Sequence, residues 1–147
     1  VATTRGGSKA AKVLERIAVA AKRAQRVRVG FLSDATYPDG TSVAMVAAIQ
    51  DFGAPRAGIP PRPFFRNMIA AKSKDWPEAV GRLLIANNFD AQRTLEQAGE
   101  AIAGQLRQSI HDTNSPPLKP ATIRGKGFAK PLIDTSVMIN SVSSEVE

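Results

Sequence analysis

Residues 27–32 read VRVGFL, and residues 141–147 read SVSSEVE. In the first, Val27, Val29 and Phe31 fall on one side of an extended chain, the period of two that marks a half-buried strand. The second alternates in the same way. The two lie near opposite ends of the sequence, so a sheet joining them would close one domain around everything between. Most of what lies between repeats its apolar residues at helical spacing. The expectation is an α+β fold, a small mixed or antiparallel sheet packed with several α-helices, in a single domain spanning 1–147.

Before the first strand, residues 1–7 (VATTRGG) are small and polar and are expected to be frayed and flexible. From Ser8, a candidate cap, to about Arg26, the residues Val13, Leu14, Ile17, Ala20, Ala21 and Ala24 recur at helical spacing. Of these, the stripe of Val13, Leu14, Ile17 and Ala21 is expected to face the sheet. Lys9, Lys12, Arg16 and Arg23 fall at steps of three, four and seven, and share another face. They are candidates for contact with an acidic partner or with DNA.

After the strand, SDATYPDG carries turn chemistry. Thr41 or Ser42 opens a short helix with Val43, Val46 and Ile49 inward, and Gly53 closes it. Prolines push their predecessors out of helical geometry, so residues 54–63 are expected as an extended arm. A helical pattern begins near Phe64 and is interrupted around 73–75. Pro77 suits the first turn of the next helix, which carries Trp76, Val80, Leu83 and Leu84 on one stripe. NNFD then breaks the pattern and Asp90 caps a longer helix to about Ile110, burying Leu95, Ala98, Ile102, Leu106 and Ile110. The apolar phase runs across the break, so one long bent helix is the alternative. HDTNSPPLKP reads as a loop, and ATIRGKG and DTSVMINS each hold one helical turn.

The composition bounds the chemistry. With 147 residues, 43% hydrophobic and 22% charged, the chain is a globular domain, and at 5% aromatic its core is aliphatic. The absence of cysteine excludes disulfides and thiolate metal sites, and suits a reducing compartment. One histidine removes the usual metal clusters and most acid–base triads. His111 precedes Asp112 at a helix end, where a histidine interacts with the helix C-terminus more often than it catalyses. Arg124–Gly127 lacks the glycine spacing and hydroxyl of a phosphate loop. Thr135 and Ser136 after Asp134 read as a helix cap before a nucleophile. No run is apolar enough to span a bilayer, and the opening residues carry no signal-peptide pattern. The expectation is a protein that is not an enzyme, with no cofactor and no metal. A net charge of +7 points to nucleic acid or an acidic protein surface as partner, or to solubility alone.

One stretch stands apart: GIPPRPFFRNMI, Gly58–Ile69. Pro60, Pro61 and Pro63 make a stiff arm that loses little entropy on docking. Phe64 and Phe65 form an apolar anchor at its end, which either starts a core helix or fills a partner's pocket, one ring in the core and the other free. Arg62 and Arg66 flank the anchor, placed to pair with carboxylates on a neighbour. Pro60, Pro61, Arg62, Pro63, Phe64, Phe65 and Arg66 are the candidate subunit or partner interface.

The order of the segments carries a resemblance. Asp51-Phe52-Gly53 ends a short helix, Ile59-Pro60-Pro61-Arg62-Pro63-Phe64 follows, PPLKPATIRGKG spans Pro116–Gly127, and PLIDTSVMINS spans Pro131–Ser141. The set resembles the tail-completion and neck proteins of long-tailed bacteriophages, which include virion morphogenesis, minor tail and tail-terminator-like proteins. Ser136 stands where the pattern has glycine, and Met138 where it has leucine. Glycine is the residue a left-handed turn favours, so a capped helix start is the expectation there. The resemblance implies a structural, non-enzymatic part of the virion, made in the host cytoplasm. It implies a homo-oligomeric ring, expected as a hexamer, that completes the tail tube and joins it to the head–tail connector. Tail tube and connector proteins are then its partners, with packaged DNA a further candidate and no membrane. The alternative is a basic nucleic-acid-binding module without enzymatic activity, which rests on charge alone.

Overall fold

The computed structural model describes residues 7–22, 24, 26–127 and 136–147. In chain order the elements are α1 (Gly7–Ala21), β1 (Val27–Gly30), α2 (Val43–Phe52), α3 (Phe64–Lys72), α4 (Trp76–Ala86), α5 (Ala91–Asp112), α6 (Pro120–Lys126), α7 (Val137–Asn140) and β2 (Ser143–Val146). The fold is α+β, with one small antiparallel sheet. The strands at the two ends of the chain do pair, Val27 with Val146 and Gly30 with Ser143. Backbone bonds between Arg26 and Glu147, at 3.1 and 3.0 Å, extend the ladder. On its outer face Arg26 pairs with Glu147, and Arg28 with Glu145 and Glu147.

The 22-residue α5 is the axis of the domain. The sheet lies on it so closely that a Cβ at Gly99 would stand 2.7 Å from Val27 Cγ2 and 2.9 Å from Ser144 Cβ. Only glycine leaves room for that approach. Further along α5, Leu106 and Ile110 enter one core with Val43, Phe64, Met68 and Met138. Side-chain bonds tie the periphery to this axis. Trp76 Nε1 donates to Gln105 Oε1 at 2.9 Å, and Arg107 Nη2 donates to the Val142 carbonyl at 2.7 Å.

Local signals set the helix ends. Ser42 Oγ accepts from Met45 N at 3.3 Å, and Gly53, at φ +78°, donates its N–H to Ile49 O. The alternative of one bent helix over 76–110 is resolved as two. Asn88 and Phe89 both take left-handed φ, +53° and +62°, and Asp90 then caps α5 through Arg93 N at 3.1 Å.

Several expectations are corrected. Residues 54–63 are not a free arm: Ala54 and Ile59 form an antiparallel bridge, a single 3₁₀ turn spans Pro55–Ala57, and Gly58 turns left-handed at φ +67°. The apolar stripe of α1 does not reach the sheet. Val13, Leu14 and Ala21 are exposed, Leu14 at 65%, and Ile17 and Ala20 are half-buried. The inner face of the sheet is already occupied by α5, so α1 is left to pack on α5 and the 87–90 turn, where Ile17 and Ala20 share a hollow with Phe89. Ser8 lies inside α1, which begins one residue earlier. Ser136 adopts the left-handed conformation, φ +60°, despite its Cβ, and makes no side-chain cap bond. Residues 1–6, Arg23, Asp134 and Thr135 lie outside the described residues.

Candidate subunit interface

The corner where α2 ends and α3 begins gathers the residues that the proline-rich stretch singled out. Pro63 stands at the N-cap position of α3 and offers no side-chain acceptor, yet the first amides of a helix need partners. Asp51, near the end of α2, supplies them: its Oδ1 accepts from Phe65 N at 2.9 Å and from Arg66 N at 3.4 Å. The same carboxylate accepts from Arg66 Nε at 2.6 Å, and Arg66 Nη2 donates to the Asp51 carbonyl at 2.6 Å. A buried carboxylate thus acts as a cap in three dimensions that no local pattern encodes. Beside it, a Cβ on Gly53 would meet Pro61 N at 2.8 Å, so the glycine lets the proline segment press against the end of α2.

Arg62 lies deeper, only 4% exposed. Its backbone N–H donates to Gln50 O at 2.7 Å, Nη1 to Gln50 Oε1 at 3.1 Å, and Nε to the Pro116 carbonyl at 3.0 Å. Burial pushes the pKa of its guanidinium below its ordinary value. Three of the segments that carry the resemblance therefore meet in space: the end of α2, the Ile59–Phe64 run, and the start of PPLKP. The bonds made by Arg62 and Arg66 are within the chain. For Arg62 this corrects the reading as a rim group reaching toward a neighbour, because its side chain is buried among in-chain acceptors; Arg66 is tied to Asp51 but stays half-exposed, with N–H donors to spare.

The two phenylalanines divide. Phe64 is in the core, edge-on to Phe31 with ring centroids 6.4 Å apart. Phe65 is half-buried and edge-on to Phe64, and its ring lies 3.7 Å from where a Cβ on Gly30 would stand, so neither ring is a free anchor. Pro60 and Pro61 are exposed, and Pro63 is half-buried.

What the corner does expose is a different ring. Phe52, the last residue of α2, is 65% exposed, and Arg66 Cζ stacks 4.6 Å from its centroid. Met45, one face-repeat earlier, is 54% exposed, Ala48 between them is exposed, and Ile49 is half-buried. Ile69, one turn beyond Arg66 on α3, is also exposed. Only Val43, Ala47 and Asp51 of α2 are buried. The sequence held a signal for this face: residues 43–49, VAMVAAI, are apolar without a break. A helix apolar all round is normally covered all round, and here the fold covers one side.

The basic candidates sit elsewhere. Lys9, Lys12 and Arg16 are exposed on α1, and Lys12 and Arg16 border a shallow hollow with Glu15, Val19 and Ala20. His111 Nδ1 lies 3.0 Å from Asp112 Oδ1 at the exposed end of α5. Among the described residues no group of three or more His, Asp or Glu side chains is placed to hold a metal ion, and no helix is long and apolar enough to cross a membrane. Comparison of the chain with protein-family models, with curated proteins and with solved structures returned no match.

Proposed function

We propose that the chain is a structural subunit of a tailed-phage virion, one copy in a homo-oligomeric ring that completes the tail tube and joins it to the head connector. The observation that carries this reading is the outward face of α2, with Met45 and Phe52 exposed on a helix whose residues 43–49 are all apolar. Ile69 of α3 is exposed as well, and exposed apolar side chains of this kind suit burial against another subunit. The ordered set of segments from Asp51 to Ser141 supports the class of particle. The knot of Asp51, Arg62 and Pro116 supports it further, because the segments that carry the resemblance build the frame that presents Phe52.

In this role the chain performs no reaction. The basic face of α1 with Lys9, Lys12 and Arg16 meets an acidic ring or the DNA path. Native mass spectrometry of the complex released from particles tests the assembly, and a symmetric multimer is the expected result. A chain present in single copies would overturn it. Reversal of Lys12 and Arg16 to glutamate should lower the yield of joined heads and tails while the fold persists. Unchanged yield would remove the basic face from the proposal.

A further inference from the structure

Among the described residues, neither edge of the two-stranded sheet carries a further strand. Arg26 and Glu147 exchange both backbone bonds, so along this antiparallel ladder the bonded pairs recur at Arg28–Glu145 and Gly30–Ser143. The N–H and C=O groups of Ser144 and Val146 therefore point away from β1. Beside these two residues lies a groove of about 350 Å³ lined by Gln92, Glu96, Glu100, Ser144 and Val146. Glu96 and Glu100 stand one helical turn apart on α5 along its wall. Gln92 Nε2 donates to Glu96 at 2.7 Å, Ser144 Oγ donates to Glu100 at 3.1 Å, and Arg107 Nη1 makes a long ion pair with Glu100 at 3.9 Å that leaves the carboxylate largely exposed. On the other face of β2, Glu145 and Glu147 are already paired with Arg26 and Arg28. On a chain with a net charge of +7, this edge is a local acidic site.

We propose that the outer edge of β2 accepts a third strand from a partner protein, an extended segment carrying lysine or arginine at alternate positions. Four helical residues rise about 6 Å, and two strand residues span about 6.5–7 Å. Basic side chains at positions i and i+2 of the incoming strand therefore fall beside Glu96 and Glu100. The backbone groups of Ser144 and Val146 supply main-chain bonds, and the carboxylates choose the partner by charge. The same carboxylates disfavour pairing of this edge with its own copy, which would bring two acidic walls together. Strand addition at this edge does not require the ring.

The test uses the full chain, ¹⁵N-labelled, and a fluorescent seven-residue peptide, acetyl-TRVRVRT-amide, with the glutamate version acetyl-TEVEVET-amide as comparison. The arginine peptide should slow exchange of the Ser144 and Val146 amide protons, and the glutamate peptide should not bind. The double change Glu96→Lys with Glu100→Lys should weaken the arginine peptide tenfold or more. Val146→Pro removes one outward N–H while keeping the ladder bonds, and should weaken it similarly; thermal melting confirms that each variant is folded. Binding without protection of Ser144 and Val146 would overturn the proposal. So would equal affinity for the lysine variant, or protection of the edge by self-association of the chain without peptide.

Discussion

Gly99 and Gly104 lie on the same helix and differ in what they face, which makes them a matched pair for testing how the sheet meets α5. Around Gly104 nothing stands within 4 Å of a built Cβ, whereas at Gly99 the Cβ would meet Val27 Cγ2 at 2.7 Å and Ser144 Cβ at 2.9 Å. Neither obstacle swings away easily, since valine is stiff at χ1 and a Cβ is fixed to its backbone. Replacing either glycine by alanine gains about 1 kcal/mol of helix propensity. At Gly99 the cost of overpacking, about 1–3 kcal/mol, opposes that gain. Gly104→Ala should therefore stabilise by about 1 kcal/mol, and Gly99→Ala should leave stability unchanged or lower it by up to about 2 kcal/mol. The propensity gains cancel between the variants, so their difference isolates the steric cost. For a chain of this size 1 kcal/mol is about 2–4 °C in Tm, so melting followed by circular dichroism should separate the two by roughly 2–12 °C. Urea titrations with a common slope give the same difference directly. Equal gains in both variants would refute the close approach of the sheet to α5.

Three other outcomes can be measured on the same footing. Phe64→Ala should cost about 3–5 kcal/mol in urea unfolding, as for a fully buried aromatic ring, and Phe65→Ala clearly less; equal losses would contradict their different burial. Asp51→Ala should destabilise by about 1–3 kcal/mol through the orphaned amides of α3, with little added for the half-exposed Arg66 partner, while Asp51→Asn retains an acceptor and should recover part of the loss. Met45→Ser with Phe52→Ser should leave Tm within about 2 °C of the parent, as surface changes do, yet sharply reduce incorporation into particles; intact incorporation would count against the α2 face as the interface.

Elements written in contiguous residues are legible in the sequence alone. The alternation of VRVGFL and SVSSEVE marks two strands. Caps at Ser42 and Asp90 and the glycine stop at Gly53 act over three or four residues, within reach of a local pattern. Even the joining of the ends follows, because strands must pair and these are the available partners. The fate of the arginines is not legible. Arg62 finds Pro116 across 54 positions, and Arg66 finds Asp51 across 15, so their partners exist only once the chain has folded. A sequence shows that a charge is present, but acceptors brought from elsewhere decide whether it faces a neighbour or closes a knot. The phenylalanines divide for a similar reason: adjacent helix residues point about 100° apart, and only the packing of α5 and Phe31 selects Phe64 for the core. The exposed face of α2 is present in the unbroken apolar run 43–49, but which of its sides stays uncovered is decided by the single layer of α3 and α7 laid against it.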